Sequence, residues 1–101
     1  MRFTQITFRH MPHSPAIGER IREISGKLEE RHPEILRCRV GAERFGRGKS
    51  ANSFKVTVEV RLADGDLACD SQGADIEVAL RAAFAELGQR LEEKSGRTRA
   101  A

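Results

Sequence analysis

The chain contains no tryptophan and no tyrosine, and five phenylalanines are its only phenyl rings. Proteins that read unpaired bases stack them on aromatic side chains of a sheet face. So few rings argue against base reading and for recognition of backbone and shape, with Phe3 and Phe45 the two that the patterning below leaves outside the core. Cysteine is scarce too: Cys38 and Cys69 make neither a disulfide framework nor a four-ligand zinc site. No apolar run approaches the roughly 20 residues that cross a bilayer. The opening MRFTQITFRH alternates polar and apolar residues where a secretory signal carries a continuous apolar core. The expectation is a cytoplasmic protein with no membrane partner. At 101 residues it has the length of one domain. A fold of that size buries roughly two-thirds of its unfolded surface without help from metal or disulfides.

What the chain does have is strong patterning. Phe3-Thr4-Gln5-Ile6-Thr7-Phe8 predicts a first strand with Thr4, Ile6 and Phe8 on one face, ended by the breakers His10-Met11-Pro12-His13. Ser14 then stands as an N-cap ahead of Pro15, the residue type favoured at the first helical position. Ile17, Ile21, Ile24 and Leu28 recur behind it at helical spacing, and Pro33 stops this helix at about Arg31. From Ile35 to Phe45, the residues Leu36, Cys38, Val40 and Ala42 alternate with Arg37, Arg39, Gly41 and Glu43. From Phe54 to Leu62, the residues Phe54, Val56, Val58, Val60 and Leu62 alternate with Lys55, Thr57, Glu59 and Arg61. Such alternation means strands with one dry face and one wet face. Asp64-Gly65 signals a tight hairpin into a fourth strand, Leu67 to Asp70. After a turn at Gln72-Gly73, Ile76, Ala79, Leu80, Ala83, Phe84, Leu87 and Leu91 form a core stripe on a helix from Asp75 to about Lys94. Ser95 to Ala101 reads as a flexible basic tail, which leaves residues 1–94 as the single domain.

The order β-α-β-β-β-α is an α+β arrangement. Each strand offers one apolar face, so both helices must cover the same side of the sheet. A right-handed crossover through the first helix makes the first two strands parallel neighbours. Hairpins add the others, giving a four-stranded mixed sheet in the order 1-2-3-4. In that order the third strand separates Cys38 from Cys69 by roughly 10 Å, beyond disulfide reach. Both read as core thiols.

Enzyme chemistry finds little to work with. Gly48-Lys49-Ser50 ends like a phosphate-binding loop, but the glycine required five residues before Gly48 is Glu43, and a strand follows instead of a helix. His10 and His13 lack a third metal ligand, Asp64, Asp66 and Asp70 read as turn formers and rim, and Ser14 is a cap. The expectation is a non-enzyme with no cofactor, no metal and no small-molecule substrate.

Charge is unevenly spread. The net value is +3, yet the first 62 residues hold +6 and the last 39 hold −3. Arg20, Lys27 and Arg31 line one side of the first helix beside its apolar stripe. Arg37, Arg39, Lys55 and Arg61 project from the wet face of the first hairpin, and Arg47 and Lys49, with Arg44, occupy its Gly-rich tip. Arg90 and Lys94 add charge on the last helix. Such a set can contact several phosphates, with mostly sequence-independent, salt-sensitive affinity. Each of these residues alone is better read as a solvated side chain balanced by Glu19, Glu23, Glu43 or Glu59. The combined set favours RNA or ribosome binding.

Ile6-Thr7-Phe8-Arg9 with Ser14-Pro15-Ala16-Ile17 opens a series of familiar stretches. Ile21-Arg22 through Lys27-Leu28-Glu29, Ile35 to Val40, Val56 to Leu62, and Ala74-Asp75-Ile76 with Ala79-Leu80 complete it. In this order and spacing, over about residues 2 to 94, the chain resembles the ribosome hibernation promoting factors and ribosome-associated translation inhibitors, also called sigma-54 modulation proteins. The resemblance implies a fold like a double-stranded-RNA-binding domain with an added first strand, in the family's short single-domain form. It implies binding to rRNA in the decoding region of the small ribosomal subunit, where the protein excludes tRNA and mRNA. Translation is thereby inhibited, or ribosomes hibernate under stress, with no catalysis and no cofactor. On this implication Lys27, Arg31, the basic hairpin residues, Arg90 and Lys94 contact rRNA. Glu86, Glu92 and Glu93 make the last helix less basic than is usual in that family. The alternative is a protein–protein adaptor that keeps the fold without ribosome binding and docks through its acidic last helix. Neither reading fixes the oligomeric state.

Overall fold

Alternating hydrophobicity in the central strands decides the layout. The computed structural model describes residues 4–45 and 53–100, the last six by backbone alone. Its elements are β1 (Thr4–Arg9), α1 (Pro15–Arg31), β2 (Arg37–Phe45), β3 (Ser53–Leu62), β4 (Gly65–Gly73) and α2 (Ile76–Ala100). They form an α+β fold with one mixed sheet in the order β1-β2-β3-β4. β1 lies parallel to β2, from Thr4 opposite Cys38 to Arg9 opposite Glu43. β2 and β3 pair antiparallel from Arg37 opposite Arg61 to Phe45 opposite Ser53. The expected crossover and hairpins are all present.

The dry face of the sheet carries Cys38, Val40, Ala42, Val56, Val58, Val60, Leu62 and Cys69, all buried. Against it pack Ile21 of α1 and Ala79, Leu80, Ala83, Phe84, Leu87 and Leu91 of α2, also buried. The stripe expected on the last helix is thus its core face.

Local signals act as expected at several junctions. The Ser14 hydroxyl accepts from the Ile17 N–H at 3.3 Å, and Pro15 opens the helix. At the far end the His32 N–H closes on the Leu28 carbonyl at 2.9 Å before Pro33 ends the ladder. Gly65, at φ +142°, turns the chain from β3 into β4.

Other expectations need correction. β4 is longer than Leu67 to Asp70, because β3 offers pairing partners as far as Phe54 opposite Gly73. Gln72-Gly73 is therefore strand and not turn. Leu36 does not join the dry face: it stays 59% exposed while Ile35 falls to 1%. The Ile35 N–H bonds to the His32 carbonyl at 3.1 Å, and this turn aims Ile35 inward before β2 begins at Arg37. On α1 the buried line is Gly18, Ile21, Ser25 and Glu29, with Ile17, Ile24 and Leu28 only half-buried beside it. Thr4 makes this possible. Its hydroxyl stands 3.2 Å from Ser25 Oγ and donates to Glu29 Oε1 at 3.2 Å, so polar groups at the β1 side are satisfied. Finally, the backbone of α2 stays helical to Ala100, past the helix end expected near Lys94. No proline stops it, and Gly96 costs only about 1 kcal/mol.

Ion pairs tie the helices to each other and to the sheet. Arg20 Nε meets Glu77 Oε1 at 2.7 Å near the start of both helices and Arg31 meets Glu92 at 3.4 Å farther along both, so α1 and α2 run parallel. Lys94 Nζ reaches Asp64 in the β3–β4 turn at 2.8 Å. The hydrogen bond from Arg20 holds the Glu77 carboxyl below its ordinary value of 4.5, and Glu77 in turn raises Arg20. The hydrogen bond from Lys94 lowers Asp64 from 3.8. Burial pushes the Cys38 thiol up to about 12, the Glu29 charge adding to it, and burial also raises Cys69.

Two outcomes follow for solution experiments. Neither cysteine will react at mildly alkaline pH in the native protein, and both will react once urea unfolds it; alkylation followed by mass spectrometry reads this directly. Stability contributed by Glu77 and Asp64 is present above their ordinary values and disappears as pH falls through the lowered ones. Thermal midpoints taken from about pH 6 to pH 2 will drop on the acid side, and Glu77→Gln will flatten that limb.

Candidate nucleic-acid interface

Both helices lie on the dry face, so the opposite face of the sheet is open to solvent. Pairing register lays its side chains out in rows. Gln5, Arg39, Glu59 and Ala68 make one row, Thr7, Gly41, Thr57 and Asp70 the next, and Arg9, Glu43, Lys55 and Gln72 a third. Arg37, Arg61 and Asp66 stand at the end nearest the β3–β4 turn. Cations stand on β1, β2 and β3, and carboxylates are interleaved with them on β2 and β3 and line β4.

The candidate cations therefore do not form one patch. Arg37, Arg39, Lys55 and Arg61 lie on the open face, whereas Arg20, Lys27, Arg31, Arg90 and Lys94 belong to the helices on the other side. Arg47 and Lys49 lie outside the described residues.

Ion pairing grades how available each cation is. Arg20 is held by two carboxylates, Glu23 and Glu77, each at 2.7 Å. Lys94 is held by Asp64 at 2.8 Å and Arg90 by Glu86 at 3.0 Å. Arg31 to Glu92 and Arg61 to Asp66 span 3.4 Å. On the open face Arg39 to Glu59 spans 3.7 Å and Lys55 to Asp70 3.9 Å, the outer limit of contact between exposed groups. Among the described residues Lys27 and Arg37 have no carboxylate partner. Arg37 also stands directly opposite Arg61, whose charge is offset from the other side by Asp66. Glu86 and Glu92, which make the last helix less basic, are the partners of Arg90 and Arg31.

Three further cations without carboxylate partners among the described residues are Arg9, Arg22 and Arg44. Arg9 was legible from parity, since it continues the wet series Gln5, Thr7 on β1. Arg44, read from the sequence as part of the hairpin tip, belongs to β2 itself, and Arg22 had no signal, because its freedom depends on which neighbours fold beside it. The centre of the open face is a shallow depression of about 490 Å³ around Gly41. A Cβ built on Gly41 would meet nothing within 4 Å. Phe45 is 38% exposed at the end of the same strand, and the alternation of β2 puts it on the same face as Gly41. No group of three or more metal-ligating side chains occurs among the described residues. No helix there is long and apolar enough to cross a membrane.

The fold is shared with solved structures. The N-terminal domain of Protein Y from Thermus thermophilus superposes with a TM-score of 0.77 at 17% identity, over 92% of this chain and 98% of that one. A ribosomal subunit interface protein from Coxiella burnetii superposes with a TM-score of 0.71 at 18% identity, over 92% of this chain and 97% of its own. No curated protein sequence matches. The sequence model described as sigma-54 modulation protein / S30EA ribosomal protein matches residues 4–99, nearly the whole length. The chain belongs to that family.

Proposed function

We propose that this protein is a ribosome-associated factor that binds rRNA in the decoding region of the small subunit and thereby inhibits translation or promotes hibernation under stress. The observation that carries the proposal is the family match across residues 4–99. The likeness of its fold to a structure described as a ribosomal subunit interface protein supports it. On this reading the protein acts in the cytoplasm as one ribosome-associated domain over residues 1–94, by occupancy and not by catalysis, with no cofactor.

Charge geometry says which cations serve that role best. Binding to RNA replaces condensed counterions with Lys and Arg, so a side chain already held by a carboxylate gains little. Lys27 and Arg37 are ready for phosphate. Arg39, Lys55, Arg31 and Arg61 can be recruited by breaking long, exposed pairs. Arg20, Lys94 and Arg90 serve the fold first. Seven of the nine described candidates are paired, which favours the second reading, a protein–protein adaptor that retains the fold without ribosome contact.

Pelleting with ribosomes from stationary-phase cells separates the two. The ribosome reading expects co-sedimentation that weakens steeply with salt; equal sedimentation with and without ribosomes rejects it. Lys27→Glu and Arg37→Glu will each weaken association and reduce the slope of log affinity against log salt by about one. Arg20→Glu will lower the thermal midpoint instead and leave that slope nearly unchanged.

A further inference from the structure

The open sheet face holds features that a set of phosphate contacts does not use. Its centre is hollow because Gly41 stands where every neighbouring wet-face position carries a side chain, and Thr7 and Thr57 flank it in the same row. The volume of about 490 Å³ falls within the range of small-ligand sites. The walls are polar on both sides. Arg9, Arg39 and Lys55 offer donors, and Glu43 and Glu59 offer carboxylates. Four residues along β2 from Gly41, about 13 Å on, stands the exposed ring of Phe45.

We propose, against the expectation drawn from its few aromatic rings, that this face is a binding site for single-stranded RNA, with one unpaired nucleotide seated over Gly41 and a base two nucleotides along stacked on Phe45. Each part of the lining then has a task. Arg9 has no carboxylate partner among the described residues, and the pairs at Arg39 and Lys55 are long, so these three turn to phosphate at little cost. Glu43 and Glu59 repel phosphate but accept hydrogen bonds from exocyclic amino groups, as carboxylates do from cytosine N4. The site therefore favours cytosine over uracil, whose corresponding position is a carbonyl. Thr7 and Thr57 keep the floor low and polar. The source of the RNA rests on the ribosome-associated reading; the chemistry of the site does not.

Gly41 makes the test clean. It has ordinary strand backbone and open space above it, so Gly41→Val adds a β-branched residue to a strand without a clash and fills the hollow. Binding of labelled oligo(C) and oligo(U), about eight nucleotides long, is measured by fluorescence anisotropy on the whole protein, with cytidine monophosphate as a competitor. The expected result is tighter binding of oligo(C) than of oligo(U). Gly41→Val should lower oligo(C) affinity about ten-fold at an unchanged or higher melting temperature, with Gly41→Ala between. Phe45→Ala should lower it by about the same factor, the worth of one stacked base. The salt slope should stay unchanged in all three variants, since no phosphate contact is removed. Displacement by cytidine monophosphate with an affinity equal to that of oligo(C) would identify a mononucleotide pocket and overturn the strand proposal. Equal affinity for the two oligomers, or wild-type affinity in both Gly41→Val and Phe45→Ala, also overturns it. Ribosome pelleting distinguishes the two proposals. Wild-type pelleting together with wild-type oligo(C) affinity in Gly41→Val and Phe45→Ala removes this site and keeps the ribosome reading. Sensitive oligo(C) binding without any pelleting does the reverse.

Discussion

Burial on only one side of the sheet is the constraint from which the rest of this structure follows. Val56, Val58 and Val60 point one way and Lys55, Thr57 and Glu59 the other, so both helices must share a face. Sharing it brings α1 beside α2, where Leu28 approaches Gly88 and Arg20 reaches Glu77. It also leaves an entire sheet surface for contact with something outside the molecule. The area that could not be made apolar without losing the alternation is the area available for binding.

The second organising fact is that opposite charges are placed in pairs across elements. Arg20, Arg31 and Lys94 each bridge two elements, so their positive charge is partly consumed in holding the domain together. Exposed pairs contribute little energy singly. Their larger effect is on the field seen by an approaching polyanion, because a neutralised cation steers nothing. Sequence charge counts therefore overstate the attractive surface, and the geometry redistributes it toward Lys27 on one side and toward Arg9 and Arg37 on the other.

How much of this was legible depended on how local the determining physics was. The N-cap at Ser14, the alternation of β2 and β3, the Asp64-Gly65 turn and the stripe of α2 all rest on neighbours close in sequence, and all read correctly. Ser25 and Glu29 could not be assigned to the interior, since their burial depends on the Thr4 hydroxyl, more than twenty residues away. Leu36 and Ile35 exchanged roles because a single hydrogen bond at the end of α1 shifts the parity before β2 starts. The candidate interface suffered most. Sidedness of the hairpin cations follows from parity, but their partners, such as Asp70 for Lys55, depend on pairing register and side-chain reach. The hollow over Gly41 is likewise invisible until three strands are laid side by side.

The parallel course of α1 and α2 gives the domain a polarity. Peptide dipoles in two helices pointing the same way add instead of cancelling, leaving partial positive charge where both helices begin and partial negative charge where both end. Arg31 sits in the last turn of α1 and offsets its negative end, so its charge is hidden from distant anions twice over, by a carboxylate and by backbone. At the opposite end the helix starts lie beside the close of β1 and β2, where Arg9 and Arg44 carry unbalanced charge. The backbone dipoles thus add to the side-chain charge at that end and subtract from it at the other.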